Sequence, residues 1–112
     1  MGITIYHNPR CSKSRQTLAL IEQQGISPTI VEYLQNPPNV GELTEILAKL
    51  GKQPSDIIRR KEAKEEGIDL GADAAKLIED LVSHPRALER PIVVNGDRAA
   101  MGRPPEAVLA IL

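Results

Sequence analysis

The rhythm of apolar and polar positions changes several times along the chain. Ile3 to Tyr6 is a short apolar, β-branched run and predicts a buried strand. Asn8-Pro9 marks a change of direction. From Ser12 the spacing becomes helical: Leu18, Ile21 and Ser14 fall on one face at intervals of three and four, and Gly25 is placed to cap the C-terminus. "SPTIVEYL", Ser27 to Leu34, predicts a second strand. Strand, helix and strand joined by a right-handed crossover make the two strands parallel.

"QNPPN" interrupts this alternation. Asn39 is a good N-cap, Leu43, Ile46, Leu47 and Leu50 follow at helical spacing, and Gly51 closes the helix. A second helix is predicted from Pro54-Ser55-Asp56, carrying Ile57 and Ile58 into the charged turns "RRKEAKEEG". A third runs from about Asp73 to His84, with Ala74, Leu77, Ile78 and Leu81 as its apolar face and Pro85 as its stop. Strands return at Ile92 to Val94 and Arg98 to Met101, around the hairpin signal Asn95-Gly96-Asp97. A final helix opens at Pro104-Pro105, where missing N–H groups do no harm. The order predicts an α/β protein with a thioredoxin-like fold. It is a mixed four-stranded sheet with an inserted helical layer, in one domain over residues 1–112.

Composition narrows the function classes. At 112 residues one domain is expected. A net charge of -1 argues against general nucleic-acid or anionic-membrane binding. No apolar run approaches the roughly 18 residues that cross a bilayer. "MGITIYHNP" lacks the basic and apolar regions of a secretory signal. The aromatic content is two tyrosines, so the core is aliphatic and no stacking platform for single strands exists. One cysteine excludes an internal disulfide, and the expectation is a cytoplasmic protein in a reducing compartment. With His7 and His84 far apart and a single thiol, no metal site is expected.

That thiol, Cys11, lies in "IYHNPRCSKSRQTL", at the end of a strand and the opening of a helix. A helix N-terminus offers unpaired N–H groups and about half a positive charge, which favour a thiolate and an oxyanion beside it. Arg10, Lys13 and Arg15 act in the same direction. A buried structural cysteine would sit among apolar neighbours; this one sits among Pro, Arg, Ser and Lys. His7 either tunes the thiol electrostatically or caps the loop. Ser14 either donates to the thiolate or simply starts the helix. Ser14 also stands where a Cys-x-x-Cys dithiol has its second sulfur, so any redox cycle needs a thiol from another molecule.

Three further arginines are candidates for holding an anion. Arg90 precedes Pro91 at the third strand, Arg103 precedes Pro104-Pro105, and "IIRRKE" offers Arg59 or Arg60. Guanidinium groups present paired donors that match tetrahedral oxyanions. By fold-level analogy, the loop before the third strand packs beside the first helix's N-terminus, which would bring Arg90 close to Cys11.

Taken together, "YHNPRCSKSR", "IIRRKE", "ERPIVV" and "GRPPE" resemble, in the same order, the glutaredoxin-dependent arsenate reductase (ArsC) family. The plasmid-type members continue beyond the last helix, and a short form without that tail also resembles the chromosomal YfgD-like branch of the family. The resemblance implies that Cys11 is the catalytic cysteine, that His7 influences its ionisation and that Ser14 interacts with the thiolate. It assigns oxyanion binding to Arg59, Arg90 and Arg103. It also implies arsenate as substrate, glutathione as co-substrate, glutaredoxin as recycling partner and no bound cofactor. A monomer is expected. Two other readings stand beside it: a glutathione-dependent thiol oxidoreductase acting on another substrate, and an Spx-like regulator that binds RNA polymerase.

Overall fold

Four strands form one mixed sheet in the order β2-β1-β3-β4: β1 Ile3–His7, β2 Thr29–Glu32, β3 Ile92–Asn95 and β4 Arg98–Met101. The computed structural model describes residues 2–112, and these fall into two units. One unit comprises the chain to Asn36 together with Arg90–Leu112; the other is Pro37–Glu89.

In the sheet unit, β1 pairs parallel with β2, so that His7 faces Glu32 in register, and antiparallel with β3. α1, Ser12–Gln23, is the crossover between the parallel pair. Alternation along β1 sends Ile3, Ile5 and His7 to one face, where all three are buried. On that face Ile3 and Ile5 pack with Ile21 of α1, Val93 of β3, and Val108 and Ile111 of the C-terminal segment. α1 buries Ser14, Thr17 and Ile21, at intervals of three and four. Leu18, expected on that stripe, is only half-buried against it.

Two elements differ from the sequence pattern here. The second strand is shorter than Ser27 to Leu34 and lies at the sheet edge, with Thr29, Ile30 and Glu32 exposed. Its apolar residues therefore reflect β-propensity more than burial. The last segment, Pro105–Ile111, is a 3-10 helix. Its C-terminal end is held from the hairpin: Asn95 Nδ2 donates to the Ile111 carbonyl and Arg98 Nη2 to that of Ala110, at 2.5 and 2.6 Å. Between β3 and β4 the loop is Gly96-Asp97, and Gly96 takes φ 62°, open to glycine at little cost.

The helical unit contains α2 Val40–Leu50, α3 Arg60–Glu65 and α4 Ala74–Ser83. α2 starts in a full capping box: Asn39 Oδ1 accepts from Glu42 N and Glu42 Oε1 from Asn39 N. It ends at Gly51 in the left-handed region, φ 66°. α2 packs on α4 through rows that include the buried Leu43, Ile46, Leu47, Leu77 and Leu81. The helix expected from Pro54 through the charged turns is two pieces. A 3-10 turn, Pro54–Ile57, stops at Ile58, which is extended and bridges Leu88. Arg59 N–H donates to the Ala87 carbonyl and Glu89 N–H to that of Ile57. These long-range bonds take backbone groups that a continuous helix would have used internally. Pro85 stops α4 as expected and opens a further 3-10 turn, Pro85–Ala87.

Candidate active site

Cys11 is the N-cap residue of α1, with φ -91° and ψ 123°, and is 8% exposed. The loop that delivers it is built around Asn8. The Asn8 carbonyl accepts Cys11 N–H at 3.0 Å, its side-chain Oδ1 accepts Arg10 N–H at 3.0 Å, and its own N–H donates to Ser14 Oγ at 3.0 Å. Arg15 reaches back to the Pro9 carbonyl at 2.9 Å. Asn8 therefore ties together both sides of the loop, and the sequence reading, which took Asn8-Pro9 only as a turn, missed it. The first turn of α1 has no acidic residue and carries Lys13 and Arg15, so its positive end stays uncompensated by local carboxylates.

Beneath Cys11, His7 and Ser14 meet. The alternation of β1 and the 3.6-residue period of α1 point both inward, and His7 Nδ1 lies 2.6 Å from Ser14 Oγ. Burial lowers the His7 pKa, Glu32 opposes this by raising it, and the Arg15 cation lowers it further. The ring is thus held neutral. Ser14 Oγ accepts from Asn8 N–H and is hydrogen-bonded to His7 Nδ1, so one hydroxyl joins the loop backbone to the ring.

Above Cys11 lies Arg103. Its Nη2 is 3.7 Å from Cys11 Sγ, and its Nε donates to the Arg90 carbonyl at 2.8 Å. One guanidinium thus spans the thiol and the loop before β3, leaving Arg103 itself exposed to solvent. The Nε and Nη1 of Arg90 are shielded from solvent. The Arg90–Pro91 and Arg103–Pro104 peptide bonds are both cis. Gly102 makes the approach possible: a Cβ there would lie 2.6 Å from Pro91 Cγ and would overlap Thr17 Oγ1. Its N–H donates to the Pro91 carbonyl at 3.0 Å. A glycine directly before an Arg-Pro pair was the available signal for this contact.

Arg59 belongs to the helical unit. It is half-buried at the N-cap of α3, with Nη2 3.2 Å from Glu62 Oε2 and Nε 4.0 Å from Glu89 Oε1. Arg60 is exposed. Among the described residues, no three His, Cys, Asp or Glu side chains gather where they could hold a metal ion. No described helix is long and apolar enough to cross a membrane.

Fold and site together define a thioredoxin-like protein with one helix-capping cysteine beneath an arginine. The ArsC family model matches residues 6–111, and the chain belongs to the ArsC family. It is 47% identical to the arsenate reductase of Haemophilus influenzae over 116 residues, covering 100% of both chains. It is 41% identical to the Escherichia coli protein YfgD, covering 98% of this chain and 96% of that one. The structure of arsenate reductase from Vibrio cholerae superposes with a TM-score of 0.92 at 44% identity, covering 100% of this chain and 98% of the other.

Proposed function

We propose that this protein reduces arsenate to arsenite, with glutathione and glutaredoxin supplying the electrons. The observation that carries the proposal is Arg103 Nη2 at 3.7 Å from Cys11 Sγ, at the positive end of α1. An anion bound there meets a guanidinium and helix N–H groups beside the nucleophile. The full-length similarity to proteins named arsenate reductase selects arsenate among tetrahedral oxyanions.

Arg90 and Arg103 hold the oxyanion in this reading, and the resemblance to the family adds Arg59. The Cys11 thiolate attacks arsenic, one arsenate oxygen takes up protons and leaves as water, and a sulfur–arsenic(V) bond forms. Glutathione then adds: its sulfur bonds to Cys11 Sγ, and the electron pair of the sulfur–arsenic bond passes to arsenic. Arsenic falls from +5 to +3 and leaves as arsenite, while a Cys11–glutathione disulfide remains. Glutaredoxin exchanges that disulfide and restores the thiol. Cys11 is the chain's single cysteine, so the second sulfur of each cycle comes from outside. Such a single-thiol cycle suits the reducing cytoplasm.

The test couples purified protein, arsenate, glutathione and glutaredoxin to NADPH oxidation through glutathione reductase. NADPH consumption should require arsenate and fall to background in Cys11→Ser. Turnover retained by Cys11→Ser would overturn the nucleophile. Full turnover with thioredoxin and thioredoxin reductase, without glutathione, would overturn the electron source.

A further inference from the structure

β1 and β2 run parallel, and their carboxyl ends stop side by side at the registered pair His7 and Glu32. The chain leaves both strands in loops, and a cleft opens between those loops. In α/β sheets this is where ligands collect, outside the carboxyl ends of parallel strands. Here the cleft has a volume of about 210 Å³ and is lined by His7 and Arg10 on one side and Glu32, Leu34 and Gln35 on the other. It lies on the β2 side of the Cys11 loop, whereas Arg90 and Arg103 reach that loop from the β3 and β4 side.

The lining carries one charge of each sign. Arg10 and Glu32 are exposed, and neither makes an ion pair among the described residues. A pure anion would be repelled by Glu32 and a pure cation by Arg10. A group with both charges on one carbon satisfies both walls. Sites that enclose a whole ligand start near roughly 300 Å³, so this cleft suits one arm of a larger molecule. Arg10 is the residue directly before Cys11, within reach of an arm about two residues long, roughly 7 Å, extending from a sulfur at Cys11.

We infer that this cleft binds the zwitterionic amino-acid end of the thiol co-substrate, with its ammonium toward Glu32 and its carboxylate toward Arg10. The inference rests on the glutathione-dependent reading above, since the γ-glutamyl arm of glutathione ends in that group. The site thereby divides the two reactants. Oxyanion is held on the arginine side of Cys11 and thiol on the Glu32 side, so both reach the sulfur without competing for one set of cations.

S-methylglutathione, which cannot react, is the probe. Titrated into the isotope-labelled protein, it should give saturable shifts at the amides of Asn8, Arg10, Glu32 and Gln35. Glu32→Gln should weaken its affinity at least fivefold. In turnover, Glu32→Gln should raise the KM for glutathione at least fivefold and leave the KM for arsenate unchanged. With 2-mercaptoethanol, an uncharged thiol, Glu32→Gln and the wild type should turn over equally. Shifts confined to other residues, or an unchanged affinity in Glu32→Gln, overturn the cleft. Saturable, Glu32-dependent binding without arsenate reduction retains the cleft and removes the arsenate reading. Arsenate reduction with an unaltered glutathione KM in Glu32→Gln does the reverse.

Discussion

His7 Nδ1 and Ser14 Oγ lie 2.6 Å apart beneath the Cys11 loop, one from the end of β1 and the other from the first turn of α1. His7 is 6% exposed and Ser14 fully buried. Burial is the largest influence on His7 and lowers its pKa from 6.5. The unfolded chain therefore binds the His7 proton more tightly than the folded one. This contribution to stability is fully present above pH 6.5, and it is lost as pH falls from there toward the lower folded value. The urea midpoint should drop between pH 7 and pH 5.5 in the wild type. In His7→Asn, which keeps a hydrogen-bonding group near the Nδ1 position, that drop should shrink. Identical pH profiles for the two proteins would contradict the buried neutral ring.

Ser14→Ala removes the acceptor of Asn8 N–H and the hydrogen-bond partner of His7 Nδ1 together. Leaving buried polar groups unpaired costs about 1–3 kcal/mol. Urea unfolding at pH 7 should show a loss of that size. Wild-type stability in Ser14→Ala would mean that water replaces the hydroxyl.

Arg103→Lys tests the forked contact. A guanidinium reaches the Arg90 carbonyl and the Cys11 sulfur at once, and a single ammonium cannot hold both. An ammonium that keeps the Arg90 carbonyl leaves the bound anion one charge-assisted hydrogen bond short, about 1.5–3 kcal/mol, and the KM for arsenate should rise roughly tenfold or more. The melting temperature should change little, because Arg103 is exposed. An unchanged KM would return Arg103 to a purely structural role.

Gly102→Ala should disturb both fold and site. The added methyl meets the Pro91 ring and Thr17 Oγ1, so the loop before β3 must move off α1. Overpacking of this kind costs about 1–3 kcal/mol. The same movement withdraws Arg103 from Cys11, and arsenate turnover should fall even below the melting transition. Full activity at 25 °C would show that the two loops adjust independently.

Asn39→Ala probes the helical unit. Loss of the α2 capping box should lower stability by about 0.5–2 kcal/mol, read by thermal unfolding. Substitution to Asp, also a good cap, should restore most of it.

Much of this protein was legible in local sequence. The apolar, β-branched run at Ile3, the Asn39 cap with its Gly51 stop, and the Asn95-Gly96-Asp97 hairpin each depend on groups a few residues apart. Caps, turns and amphipathic spacing are satisfied within one element, so the chain states them directly. The site was legible as residue types: a lone thiol at a helix start, a histidine, a serine and arginines beside prolines.

Only the tertiary structure decided how these residues are partnered. Ile58 breaks a helical pattern because Leu88, thirty residues on, supplies its backbone partner. Ser14 meets His7 because the strand and helix periods bring those two side chains together. Arg103 reaches Cys11 across 92 residues because the antiparallel strands β3 and β4 turn their connecting loops back beside the end of β1. Charge and hydrogen-bonding capacity are written in each residue. Which group meets which is set by strand order and register, and no local period encodes those.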